Sequence, residues 1–386
     1  MNPEMLGAFV ADDYYDQLAQ LRRDAPVRQY APNAWTVARY TDVREMSRDP
    51  ERFVSARGVL VNDPLRNGGT IEGSILHMDP PDHAPWRKLT SRRFTPNAMT
   101  GLETRIRDVA RDVLATAPVG RVFDFVEYVA APFPVLVIAE LLGIQEADRD
   151  DFRRWSDATL ESPDHPGERV DDLVELHRFL VAQVKARRED PRDDIVSRIV
   201  TAEVEGRPIT TREAVTYVMS LLIAGNETTR HLVSGSVLAL DEHQDQRELL
   251  AHDPSLIGNA VEECLRWVTP IQAFGRTAAH ATSLGGCEIA SGDFLVMLYA
   301  SANRDEEAFG ATAGRFDVTR PVDTQHLAFG FGEHLCLGAA LARLEGRVLL
   351  EELLASFPSY EIAGDPTWIA STLVRGMANL PTRFPS

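Results

Sequence analysis

"HLAFGFGEHLCLGAALARLE", residues 326–345, sets a lone cysteine, Cys336, in a loop punctuated by Gly330, Gly332 and Gly338. Those glycines let the backbone come close to something flat or bulky. Directly afterwards "LGAALARLEGRVLLEELLASF", residues 337–357, repeats apolar residues at three- and four-residue spacing, which predicts a helix beginning just past the cysteine. The sulfur then sits at a helix N-terminus, where unpaired amides and the positive end of the helix dipole favour an anion, so a stabilised thiolate is expected. Two readings stay open here: a small buried hydrophobe, as lone cysteines usually are, or an anionic ligand.

A chain of 386 residues, 44% of them hydrophobic, can bury a large core as one big domain or as two to three ordinary ones. Its net charge of −18 and pI near 5.0 argue against a nucleic-acid partner, because a phosphate backbone would be repelled. The start, "MNPEMLGAFVADDYYDQLAQLRRDAP", has no basic segment followed by an apolar one, and no apolar run is long enough for a membrane span. The expectation is a cytoplasmic protein without signal or membrane anchor. Cys264, Cys287 and Cys336 are too few and too scattered for a disulfide framework, and no C-x-x-C pair suggests zinc.

The pattern along the chain is mainly α with small β-sheets. Residues 100–117 and 171–189 have the spacing of amphipathic helices. "AWTVARY" alternates as a strand does, and "CEIASGDFLVMLYASANRD", residues 287–305, predicts a small hairpin followed by a buried segment. Residues 158–169 and 187–194 read as charged connections. There is no internal repeat.

A second stretch, "ITTREAVTYVMSLLIAGNETTRHLVSGSVLALDEH", residues 209–243, predicts a long buried helix opened by a capping box of Thr210 and Glu213. Ala224, Gly225, Asn226, Glu227, Thr228 and Thr229 interrupt the apolar rod. Glycine there weakens a helix by roughly 1 kcal/mol, and buried polar groups need partners. Either Thr228 bonds back to a carbonyl one turn earlier while Gly225 admits a neighbouring helix, or the helix is opened by a kink or π-bulge beside a reactive ligand.

Phe329, Gly330, Gly332, His334, Cys336 and Gly338 fit F-G-x-G-x-H-x-C-x-G, which resembles the haem-ligand signature of the cytochrome P450 family. Glu263 and Arg266 match its E-x-x-R motif, residues 224–229 match (A/G)-G-x-(D/E)-T-T, and residues 303–320 resemble the segment leading to the haem loop, so the likeness spans nearly the whole chain. It implies the cytochrome P450 fold, a single large helical domain over residues 1–386 with a minor β-rich lobe. It also implies haem b, with Cys336 as the iron ligand and Phe329 packed near the sulfur. Ala224 and Gly225 would lie over the opposite face, Thr228 would hydrogen-bond dioxygen, and Glu227 would relay protons. His83 and Arg87, as H-x-x-x-R, would hold one haem propionate, and Arg276 and His334 the other. Pro85 is tolerated only in a first turn, so that helix is expected to start near Ala84, away from His83. Glu263 and Arg266 would form a buried scaffold pair joined by an arginine upstream of the haem loop.

The resemblance implies a haem-thiolate monooxygenase that activates O2. No dinucleotide-binding glycine unit and no fused reductase are visible, so electrons from NAD(P)H would arrive through a separate ferredoxin reductase and a ferredoxin, docked near basic residues such as Arg343 and Arg347. The pocket would be built from residues 56–75, Ser220, Ile223, Ala224, the segment 268–274 including Gln272 and Phe274, and Leu373 with Val374. Most are apolar, which favours a lipophilic substrate such as a steroid, terpenoid or other natural product. The alternatives are a peroxygenase or non-oxygenating haem enzyme of the same fold, and a non-catalytic haem-binding protein; retention of Glu227 and Thr228 favours monooxygenation.

Overall fold

The computed structural model describes every residue except Met1, Leu6, Gly68, Thr70 and residues 159–168. The charged connection expected at 158–169 therefore lies almost wholly outside the described residues, as do two positions of the expected pocket segment 56–75.

A mixed five-stranded sheet forms the β-rich lobe. Its strands are β1 (Val27–Ala31), β2 (Ala34–Val37), β3 (Phe53–Val54), β4 (Ala273–Ala278) and β5 (Phe294–Leu298), in the spatial order β1-β2-β5-β4-β3. Strand β5 runs parallel to β2 and antiparallel to β4, and all five of its residues are buried, as a central strand covered on both faces should be. The expected hairpin at 287–305 is different in detail. Cys287–Ile289 pairs backwards with Thr282–Leu284, while β5 joins the large sheet. The reason is Gly285-Gly286, both at positive φ (53° and 80°), which make the two-residue hairpin turn.

Apart from one three-stranded and three two-stranded sheets, helices make up most of the remaining described residues. Residues expected to be amphipathic form Glu103–Thr116 and Val170–Glu189. Four others position the site: α1 (His83–Ser91), α2 (Thr211–Glu242), α3 (Ile257–Val268) and α4 (Ala339–Ser356). At the start of α2, Thr210 Oγ1 accepts the Glu213 amide (3.2 Å) and Glu213 accepts the Thr210 amide (2.8 Å). Arg207 adds a two-pronged contact of 2.6 and 2.9 Å, which with these bonds holds the Glu213 carboxyl down at about 2. Helix α2 spans 32 residues, about 48 Å at the usual rise, and packs against α3 and α4 within one large apolar core. It stays α-helical throughout the polar block 224–229, so of the two alternatives the π-bulge is not there. A π-turn occurs instead at Val126–Ala130, just before Pro132 and Pro134, whose missing amides loosen the first turn of the next helix.

Candidate haem-thiolate site

The cysteine loop is shaped by close approach. Gly330 and Gly332 adopt φ of 68° and 73°, and a Cβ on Gly332 would lie 2.0 Å from the Ser47 carbonyl oxygen. The Cys336 amide donates to the Phe329 carbonyl (2.9 Å), and the Cys336 carbonyl accepts the Ala339 amide at 3.4 Å as α4 begins. Cys336 is exposed although protein surrounds its sulfur. Burial raises its pKa; the Gly338 backbone and the charges of Arg87 and Arg343 only partly oppose this. A coordinated cation would favour the thiolate at this position.

Around this loop the structure gathers a donor set suited to carboxylates. Arg276 is buried, and among the described residues it has no ion-pair partner; its only hydrogen bond runs to the neighbouring Gly275 carbonyl (2.7 Å). A buried guanidinium without an anion is unstable by several kcal/mol, so the position calls for one. Arg87 donates to the Leu335 carbonyl, one residue before the cysteine. His83 is buried, with Nε2 unpartnered, and its ring centre lies 4.4 Å from that of His334. Helix α1 begins at His83 itself with Pro85 in its first turn, so the proline does not remove the histidine from the site. His334 meets the Ser55 hydroxyl at 3.1 Å, and burial together with Arg276, His83 and Arg87 pushes its pKa down to about 2. An accessible sulfur flanked by two arginines and two neutral histidines fits haem b, with an iron ligand and four propionate donors.

Beneath the loop, Arg266 donates two 2.7 Å bonds to Glu263, two more to the carbonyls of Asn303 and Ala313, and one to that of Arg315. Arg320 supplies the third charge, 3.0 Å from Glu263. With all three buried, this cluster ties α3 to the chain entering the cysteine loop.

On α2, Ile223 is 37% exposed and Ala224 is exposed, although both sit in the middle of a helix embedded in the core. That accessible sector is left uncovered by the core around the helix. Thr228 donates to the Ala224 carbonyl (2.7 Å), the back-bonding alternative. Gly225 would bring a Cβ to 3.4 Å from Ile138, so it does serve close helix packing. The nearest imidazole to Glu227 is His231, 3.8 Å away. Of the expected pocket residues, Phe274 and Leu373 are half-buried, Val374 is buried, and the Ser220 hydroxyl is taken by the Thr216 carbonyl (2.8 Å). Gln272 is buried and its amide is consumed by Tyr14 and the Thr269 and Val268 carbonyls, which leaves no group for a ligand. In segment 56–75 the buried Asp63 carboxylate accepts the Val59, Leu60 and Leu65 amides and contacts His77 at 2.9 Å.

Sequence reasoning missed Glu345, which is buried on α4 and accepts the Thr229 hydroxyl at 3.1 Å. A glutamate on the apolar stripe Leu341, Leu344, Val348 was the available signal. Arg343 and Arg347, the candidate docking cations, are both ion-paired: Arg343 grips Glu262 at 2.6 and 3.0 Å, and Arg347 pairs with Glu103 (2.8 Å) and Glu351 (2.9 Å).

Comparisons with known proteins agree with this geometry. The cytochrome P450 family model matches residues 138–367. Erythromycin C-12 hydroxylase of Saccharopolyspora erythraea is 39% identical over 379 residues, 95% of this chain and 93% of that protein. Vitamin D(3) 25-hydroxylase of Pseudonocardia autotrophica is 39% identical over 94% of this chain and 92% of its own. The open form of the cytochrome P450 EryK from S. erythraea superposes with a TM-score of 0.86 at 38% identity, covering 96% of this chain and 95% of that one. No helix among the described residues is long and apolar enough to cross a membrane. With the cysteine signature, the donor set around it and relatives aligned over nearly their whole length, the chain belongs to the cytochrome P450 family and is a haem-dependent monooxygenase.

Proposed function

We propose that this monooxygenase hydroxylates a lipophilic natural product of steroid, terpenoid or macrolide size, acting in the cytoplasm as one domain over residues 1–386. The observation that carries the substrate class is the accessible sector of α2 at Ile223 and Ala224, with Phe274 and Leu373 as further apolar lining and the polar groups of Ser220 and Gln272 already satisfied within the protein. Such a wall selects by shape rather than by ion pairing. The named substrates of the two relatives, erythromycin and vitamin D(3), are bulky and weakly charged or neutral, which supports the same class.

When bound through Cys336, haem supplies reductive activation of O2 and insertion of one oxygen atom into substrate. The protein's part is to hold and deliver. Arg276 and Arg87 would neutralise the haem propionates and His83 and His334 would donate hydrogen bonds to them; Phe329, Gly330 and Gly338 keep the cysteine loop close; Glu263, Arg266 and Arg320 brace it. The Thr228 hydroxyl, now given to the Ala224 carbonyl, would serve as the donor on this side of the pocket, and Glu227 would be the acid that supplies its protons. Electrons reach this site from NAD(P)H through a ferredoxin reductase and an acidic ferredoxin. Cations near the loop without an ion pair among the described residues suit that docking: Arg48 on the Phe331 ring (4.7 Å), and Lys88 and Arg92 on and beside α1.

The test is the ferric absorption spectrum of purified protein titrated with a sterol ketone, a monoterpene, a macrolide aglycone, a fatty acid and a methoxybenzoate. A saturable shift from low to high spin with one of the first three supports the reading. A shift with the methoxybenzoate alone overturns the substrate class.

A further inference from the structure

One polar side chain on α2 is used by none of these roles. His231 has no exposed side-chain area, and neither ring nitrogen has a partner within hydrogen-bond distance. Burying an imidazole in that state costs about 1–3 kcal/mol for each unmet polar group, so the residue calls for an explanation. Its place on the helix is informative. Residues advance by about 100° along an α-helix, so Glu227, Thr228 and His231 share a sector about 100° wide, the same one that carries Ala224.

A glycine from another part of the chain fixes the ring. A Cβ on Gly376 would fall 2.0 Å from His231 Nδ1 and within 2.3 Å of Cε1 and Cγ, so only glycine admits the imidazole here. With that edge pressed against Gly376, the opposite nitrogen, Nε2, faces Glu227 Oε1 at 3.8 Å. That gap exceeds a hydrogen bond, and a small rotation of either side chain closes it. Burial lowers the imidazole pKa, which leaves it neutral with one N–H to give. With Nδ1 walled off, the carboxylate is the acceptor within reach of Nε2–H.

We propose that His231 is a positioning residue for Glu227: its Nε2–H, seated by Gly376, holds the carboxylate in the orientation that serves Thr228. No bond is made or broken at His231, and the proton delivered comes from Glu227. The inference rests on the reading of Glu227 as the proton-delivering acid.

The experiment compares wild type with His231→Leu, His231→Gln, Glu227→Gln and the double variant His231→Leu/Glu227→Gln, all as haem-loaded protein. Two readouts are taken: the Glu227 carboxylate stretch by infrared difference spectroscopy, identified by its loss in Glu227→Gln, and the fraction of NAD(P)H oxidised that appears as hydrogen peroxide rather than product. Losing one orienting hydrogen bond should shift the carboxylate band and raise the peroxide fraction about fivefold in His231→Leu. His231→Gln, which can still donate, should recover part of both, and the double variant should match Glu227→Gln alone. An unmoved band and wild-type coupling in both His231 variants would overturn the proposal. If Glu227→Gln itself left coupling unchanged, the acid assignment would fall first and the proposal with it; a failure confined to the His231 variants sinks only the inference.

Discussion

Glu345 is 2% exposed, and its one hydrogen bond among the described residues comes from Thr229. Burial raises its pKa from 4.5 to about 8, with the Thr229 bond opposing. In the unfolded chain the carboxyl has its ordinary value. The group therefore contributes most below about pH 4.5, where both states are protonated, and stability is lost as pH rises through about 8. Linkage puts the loss at about 2 kcal/mol by about pH 6 and about 4 kcal/mol by about pH 8. Glu345→Gln keeps an oxygen for Thr229 and removes the ionisation. Its stability advantage over wild type should therefore widen by about 2 kcal/mol between about pH 6 and about pH 8, while all other titrations cancel in the difference. Urea unfolding of the two proteins at matched pH, followed by far-ultraviolet circular dichroism, measures the gap. A gap that stays flat across that interval would refute the claim that Glu345 is buried as a neutral acid.

Three further outcomes follow from distances at the site. Arg266→Ala leaves the buried Glu263 carboxylate with Arg320 as its one remaining cation among the described residues and removes three bonds to loop carbonyls, which should destabilise the protein by about 3 kcal/mol, read as a lowered haem-to-protein ratio and melting midpoint; normal loading would contradict the scaffold role. Gly332→Ala places a Cβ 2.0 Å from the Ser47 carbonyl at a φ of 73°, so haem loading should fall with helix content retained, and a fully loaded variant would show that the loop is not confined there. Lys88→Glu with Arg92→Glu should raise KM for an acidic ferredoxin and flatten its salt dependence without altering the ferric spectrum; unchanged kinetics at low salt would place the docking surface elsewhere.

What was legible in the sequence was carried by local spacing. The capping box at Thr210 and Glu213, the glycine-ringed loop at Cys336 and the pair Glu263–Arg266 each involve residues a few positions apart, and each appears where its spacing put it. Partners supplied from far along the chain were not legible. Glu345 reaches Thr229 across 116 positions; Arg320, which reaches Glu263 across 57, was expected only through the family resemblance. The same limit hid two partners of the candidate docking arginines Arg343 and Arg347, since Glu262 and Glu103 lie 81 and 244 positions away from them in sequence but beside them in space. The Gly285-Gly286 turn was readable and was passed over in favour of the more strongly apolar strand that follows.

The polar block in α2 explains itself once its members are sorted by partner. Ser220 and Thr228 return their hydroxyls to the helix's own carbonyls, and Thr229 is met by Glu345, so three potential defects are neutralised without opening the helix. This is why the rod stays regular where the sequence suggested a break. Asn226, unpartnered on another face, is explained by nothing in the structure. Thr228 differs from the other two in standing on the accessible sector, so its bond to Ala224 is one it can exchange for a ligand, whereas Thr229 is locked against a buried acid. The chain thus carries two adjacent threonines with opposite assignments, and swapping them tests the distinction. Thr228→Val should divert electrons to peroxide while leaving stability within about 1 kcal/mol, and Thr229→Val should lower stability by about 1–3 kcal/mol while coupling holds. The reverse pattern would place the reactive face of α2 on the wrong side.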